Sequence, residues 1–228
     1  NYSVKKHKEI SYIYKKDPSK LKNHVVFLGF DFGYRGNSKY LFNYFVKHNP
    51  MIESYFITDK RTGPHFISTN DENVKNLIET ATFVITESYI PDDIHPNGKI
   101  IQLWHGTPIK KLFLDSKEPY QNLNIYNYRA RKYNKWTQQD YLIVDSEESK
   151  TYFESAFPSQ KIDILPVGYP RNNYLLNRIN DVGLHKRIFS EINIDPTKRV
   201  LLYAPTWKTN SSDDDIFPIN EQLLKHYN

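Results

Sequence analysis

The sequence predicts an α/β protein built on a parallel sheet with helices on both faces. Three observations predict it. Short apolar runs recur along the chain, each bounded by polar or turn residues, as strands buried on both faces require. Amphipathic stretches of helical length separate most of these runs. The 228 residues are 39% hydrophobic and 15% aromatic, enough for a substantial core.

The strand candidates, in order, are Val25–Phe30, Ser54–Thr58, Thr82–Thr86, Ile100–Trp104, Tyr141–Val144, Lys161–Leu165 and Val200–Tyr203. The helix candidates are residues 37–48, 71–80, 120–136, 146–156, 170–178, 182–192 and 220–227. Ser146 followed by Glu147 and Glu148 is a helix start, because acids are favoured at the positive end of the macrodipole. Six strand–helix units fit within residues 25–192. The turn Asp195-Pro196-Thr197 then precedes a new strand at Val200, a polar loop (Ser211 to Asp215) and one more helix. Residues 1–24 therefore read as a basic arm or linker, 25–194 as one α/β domain, and 195–228 as the opening of a second domain that is cut off. A first residue other than Met, with the single Met at position 51, fits a piece of a longer protein.

Composition excludes several classes. Zero cysteines exclude a disulfide scaffold, a Cys-based metal site and a thiol nucleophile. The mean hydropathy is −0.69 and no apolar run approaches 18 residues, which argues against a membrane span. No secretory signal pattern is visible, so a cytoplasmic location is expected. The arm holds seven of the 31 basic residues and two of the 26 acidic ones, so it carries the whole net charge of +5 and the body is neutral. Such an arm is either a solvated leader or linker, or a contact for anionic lipid or nucleic acid. Nothing in the body resembles a nucleic-acid module. His7, His24, His48, His65, His95, His185 and His226 show no metal-ligand spacing, so neither a metal nor a cofactor is expected.

Four segments carry candidate chemistry. Gly33, Arg35 and Asn37 lie in GYRGNS, between the first strand and its helix. Backbone N–H groups there can meet an anion, and Arg35 can fork onto it. A tight turn with Asn37 or Ser38 as N-cap explains the segment equally well. In QLWHGTPIKK a buried strand ends at Trp104 and a helix is expected from Pro108. His105 then stands at the carboxyl edge of the sheet, where open α/β folds bind ligands. It has the proton chemistry for catalysis near neutral pH. Gly106 permits close backbone approach, and Thr107 can cap the helix or hold phosphate. Lys110 and Lys111 in a first turn point to an anionic partner. In GYPRN, Arg171 is either a phosphate fork or a surface arginine in a proline turn. In LLYAPTWK, Thr206 and Lys208 can face an anion, while Trp207 serves packing. Glu87 is a further candidate ligand contact at a strand end.

QLWHGTPIKKL, GYPRNNYLL and LLYAPTWK, in this order, resemble motifs of the CDP-glycerol glycerophosphotransferases, the teichoic acid primases and polymerases. GYRGNSKYLFNYF resembles that family's first strand–helix turn. The resemblance spans roughly residues 24–210. It implies the amino-terminal half of a two-domain GT-B-type glycosyltransferase fold with Rossmann-like domains, plus the start of the second. It also implies transfer of glycerol phosphate from CDP-glycerol to a lipid-linked polyol-phosphate acceptor, peripheral on the inner face of the cell membrane. His105 matches the family's proposed catalytic base. Gly106, Thr107, Pro108, Ile109, Arg171, Pro205 and Thr206 match positions that contact the donor. Asn173 stands where the family often has Asp, and Lys208 where Arg is frequent. The family's second catalytic His would follow position 228, so this piece alone is expected to be inactive. A CDP-ribitol or nucleotide-sugar transferase, and a non-enzymatic acceptor- or membrane-binding module, are the alternatives.

Overall fold

The computed structural model describes residues 13–117, 125–202 and 204. The chain divides into two compact units, residues 1–177 and 178–228. The first unit contains, in chain order, β1 (Lys22–Leu28), α1 (Gly36–His48), β2 (Glu53–Ile57), β3 (Phe66–Ile67), α2 (Val74–Thr80), β4 (Ala81–Thr86) and β5 (Lys99–Gln102). After these come α3 (Ile125–Trp136), β6 (Tyr141–Val144), α4 (Glu147–Ala156), β7 (Asp163–Pro166) and α5 (Pro170–Leu176). The seven strands form one sheet in the order β3-β2-β1-β4-β5-β6-β7. Every pairing is parallel. The order reverses between β1 and β4, and in open α/β sheets a crevice for ligands opens at the carboxyl ends of such a strand pair.

Strand alternation explains the two-faced core. Val26 and Leu28 point to one face and pack with Val74 and Ile78 of α2. Val25 and Phe27 point to the other and pack with Phe42 of α1 and Phe56 of β2. A third cluster joins Leu142 and Val144 of β6 to Trp136 of α3 and to Phe153 and Phe157. Trp136 and Phe157 stack there with centroids 4.2 Å apart. Ser146 caps α4 as expected, accepting the Ser149 N–H at 3.1 Å.

Apart from other shifts of a few residues at element ends, the structure departs from the sequence expectations in five places. β3 was not expected, because two residues carry no pattern. No helix starts at Pro108. The chain stays irregular to a single 3-10 turn at Phe113–Asp115, which delivers Phe113 into the third cluster. Val200–Leu202 is not a strand, since among the described residues it has no ladder partner; Tyr203 lies outside them. The strand expected to end at Trp104 stops at Gln102. Residues 14–24 are not a free arm. Lys22–His24 belong to β1, Lys16 pairs with Asp140 at 2.5 Å, and the Tyr14 hydroxyl donates to the Pro96 carbonyl at 2.9 Å.

In the second unit, α6 (Val182–Glu191) is capped by Asp181, which accepts the Leu184 N–H at 2.9 Å. Its end is closed by Asn193 in the left-handed region, φ 53°. The turn at Asp195 forms as the sequence predicts, with Thr197 N–H bonded to the carboxylate at 2.9 Å. The helix expected at 220–227 lies outside the described residues.

Candidate functional site

Three of the four candidate segments meet at the carboxyl edge of the sheet. β1 delivers the turn to α1, β5 delivers Trp104 and His105, and β7 delivers Tyr169 to Arg171.

The first turn is not an open anion site. Glu87, at the end of β4, is 2% exposed. Its carboxylate accepts from the Asn37 backbone N–H at 2.6 Å and from the Ser38 hydroxyl at 2.9 Å. The positive end of α1, where a Rossmann domain places a phosphate, thus already faces an internal carboxylate. Gly36 (φ 67°) is required twice: its backbone is left-handed, and a Cβ there would lie 2.5 Å from both Glu87 carboxylate oxygens. Burial pushes the Glu87 carboxyl above its ordinary range, partly countered by the bonds from Asn37 and Ser38 and by the charge of Arg171. Glu87 therefore lines no open surface, and its work is internal.

Asn37, expected as a phosphate contact, is fully buried. Its Nδ2 donates to the Trp104 carbonyl at 3.0 Å, and its Oδ1 accepts the Arg171 backbone N–H at 3.3 Å. One carboxamide joins three loops. Gly33 and Arg35 stay nearer solvent, with the Arg35 guanidinium 5.8 Å from the Phe30 ring centroid.

His105 lies on the exposed rim, flanked by two aromatic rings. Trp104 stacks on it at 4.6 Å, and Phe30 meets it edge-on at 5.5 Å. These rings strip water from the imidazole, which lowers its pKa below the ordinary value. A hydrogen bond to the Glu87 carbonyl opposes that shift, and the nearby Arg171 charge adds to it. The shift favours the neutral ring, in which one nitrogen keeps a lone pair. Trp104 itself has φ 51°, a conformation that a bulky residue adopts only under constraint.

Arg171 donates from Nη2 to the His105 carbonyl at 2.9 Å. Gly106 (φ 154°) lies under the same guanidinium, where a Cβ would come 3.4 Å from Nη2. The Tyr169 hydroxyl donates to the Gly106 carbonyl at 3.3 Å. Thr107 donates to Asp145 at 2.5 Å rather than capping a helix. Burial acts to raise the Asp145 carboxyl, but hydrogen bonds from Ser149 and Thr107 outweigh it and hold it low. Pro108 follows on the rim; Ile109, at 91% exposure, Lys110 and Lys111 extend into solvent. Pro205, Thr206 and Lys208 lie outside the described residues. No group of three His, Asp or Glu side chains arranged to hold a metal occurs among the described residues. No helix among them is long and apolar enough to cross a membrane.

Sheet order and site together define a Rossmann-like α/β domain of the GT-B glycosyltransferase type, with its candidate chemistry on the rim beside the strand-order reversal. Residues 10–226 match the family model for CDP-glycerol:poly(glycerophosphate) glycerophosphotransferase, and the chain belongs to that family. It is 33% identical over 201 residues to a teichoic acid poly(glycerol phosphate) polymerase of Staphylococcus epidermidis, covering 84% of this chain and 27% of that protein. It is 36% identical over 118 residues to a teichoic acid glycerol-phosphate transferase of Staphylococcus aureus, covering 51% of this chain and 30% of that one. Among solved structures, it superposes on the wall teichoic acid polymerase TagF with a TM-score of 0.74 at 30% identity, over 85% of this chain and 50% of that chain. A histidine-to-asparagine variant of TagF soaked with CDPG gives a TM-score of 0.77 at 29% identity, covering 85% of this chain and 50% of that one. The chain thus spans between about a quarter and a half of the relatives it matches.

Proposed function

We propose that this chain is the acceptor-side part of a transferase that moves glycerol phosphate from CDP-glycerol to a lipid-linked polyol-phosphate acceptor, releasing CMP. His105 is the general base. It takes the proton from the acceptor hydroxyl, whose oxygen forms a bond to the β-phosphorus of CDP-glycerol. The bond from that phosphorus to the bridging oxygen breaks, and CMP departs with the electron pair. Phosphoryl transfer of this kind depends on positioning and on stabilising spread negative charge. Arg171 supplies the positive charge beside the reacting phosphate. The backbone from Gly106 to Ile109 lines the donor, with Lys110 and Lys111 as outer anion contacts. Residues 195–228, with Pro205, Thr206 and Lys208, open the donor-binding domain.

The single observation that carries this reading is the His105 ring. It stands on the sheet's carboxyl rim, flanked by the Phe30 and Trp104 rings and tied through its carbonyl to Arg171. The experiment is CMP release from CDP-glycerol by the full-length transferase. His105→Ala is expected to abolish turnover while the protein stays folded. Unchanged turnover in a folded His105→Ala protein would reject the base assignment.

The protein acts at the inner face of the membrane, as a peripheral protein whose amino-terminal lysines meet anionic lipid. Co-sedimentation with phosphatidylglycerol vesicles checks this. Binding is expected to weaken as salt rises. Binding unchanged at high salt would rule out the lysines as the attachment.

A further inference from the structure

The residues assigned to chemistry above come from loops far apart in sequence, and nothing in their spacing holds them in register. The buried groups beneath them do. Asn37 has no exposed surface, yet its carboxamide spends both ends on the rim loops: Nδ2 on the Trp104 carbonyl and Oδ1 on the Arg171 N–H. Its own backbone N–H is held by the Glu87 carboxylate at 2.6 Å, and Ser38 holds the other carboxylate oxygen. The same Ser38 hydroxyl lies 3.0 Å from the Leu28 carbonyl and shares its one hydrogen between the two acceptors, which moors the turn to the end of β1. Glu87 is moored by its backbone N–H on Leu28, at 3.2 Å. The chain of contacts therefore starts in the sheet, passes through Glu87 and Asn37, and ends on the Trp104 carbonyl, one residue before His105, and on the Arg171 N–H. Trp104, whose carbonyl Asn37 holds, is also the residue in the left-handed region at φ 51°. Buried hydrogen-bond networks of this kind specify one arrangement when every member is satisfied.

We propose that Asn37 and Glu87 are positioning residues of the transfer reaction: the buried carboxamide clamps the His105 loop to the Arg171 loop, and the buried carboxylate fixes the turn from which that carboxamide projects. Neither touches substrate. This inference rests on the assignment of His105 as base. It adds that the base and the arginine are placed by an internal carboxyl group, in the position where a dinucleotide-binding domain would hold a phosphate.

The test is made in the full-length transferase with CDP-glycerol and acceptor. Asn37→Asp keeps the acceptor oxygen for Arg171 but turns the donor facing the Trp104 carbonyl into a repelling oxygen. The expected result is a fall in kcat of about 100-fold, the scale of an ångström-size misplacement. The KM for CDP-glycerol should change far less. The acidic limb of the pH–rate profile should move up toward about 6.5, the ordinary imidazole value, as the ring leaves its aromatic niche. Glu87→Gln keeps an oxygen for the Asn37 N–H and should be milder on both measures. If Asn37→Asp does not fold, Asn37→Ser, which shortens the side chain and loses both bridges, takes its place with the same expected split. A folded Asn37 variant with unchanged kcat and pH profile, or a loss confined to KM, would overturn the inference. If His105→Ala is inactive while the Asn37 variants work normally, the clamp is wrong and the base stands. If His105→Ala is active, the fault lies in the functional assignment itself.

Discussion

At the scale of single residues, the local environment shifts two ionisations in opposite directions from their free values. His105 has its pKa lowered, chiefly by burial against Phe30 and Trp104 and then by the Arg171 charge. A ¹³C-histidine NMR titration should find it below about 6.5. Arg171→Ala removes a positive neighbour and some cover, so the value should rise; a fall would contradict the described geometry. Glu87 has the reverse shift, raised by burial. A group whose folded pKa is raised contributes stability that is complete below its unfolded pKa and is lost as pH climbs through the folded value. Glu87 therefore makes the fold less stable at neutral pH than near pH 4.5, its unfolded value. Glu87→Gln should flatten this part of the curve, read as denaturation midpoints between those two pH values. An unchanged slope would place the source elsewhere. His105 was legible in the sequence, because WHGTP follows an apolar run and so must emerge at the strand's end. The Glu87–Asn37 contact was not. The two are 50 positions apart, and only the parallel pairing of β1 with β4 brings them together.

At the scale of elements, apolar runs long enough to speak marked strands. VVFL, TFVIT and YLIV all lie in the sheet, while Gly29 and Phe30, expected to end the first strand, fall beyond it in a 3-10 turn. The failures have physical causes. Phe66–Ile67 is too short to show a pattern. The stretch after Pro108 has a first-turn proline, but Lys110 and Lys111 would face the positive end of a helix there, and Phe113 is buried in the aromatic cluster instead. Val200–Leu202 is strand-like in composition, yet a strand needs an adjoining backbone and none is present among the described residues. The capping of α4 is the part where local signal and structure agree fully. Ser146→Ala should cost about 1 kcal/mol in chemical denaturation. Phe153, fully buried between Trp104 and Trp136, should cost about 3–5 kcal/mol on truncation to Ala.

At the scale of the whole molecule, the described part of the amino-terminal arm acts as a strap. Lys16 and Lys99 both reach Asp140, whose carboxylate also accepts the Ile100 N–H at 2.9 Å. One acid so joins the arm, the start of β5 and the loop before β6. Burial tends to raise its pKa, but the bonds from Lys16 and Lys99 win and hold it low. Asp140→Ala should cost about 2 kcal/mol, the scale of a charged hydrogen bond lost. Lys16→Ala alone should cost less, because the Lys99 bond remains. Equal losses in the two denaturation experiments would mean that the strap, rather than the junction at Asp140, carries the effect. The parallel α/β sheet was readable from the alternation of segments, apart from the short edge strand β3. The docking of the arm was not, since its lysines look the same in sequence whether they face water or an acid.

The stacking of Trp104 on His105 has an optical consequence. An excited indole loses its emission to an adjacent imidazolium far more readily than to a neutral imidazole. The protein's intrinsic fluorescence should dim as acid protonates that one ring, so a cuvette can follow the charge of the rim histidine without label or substrate.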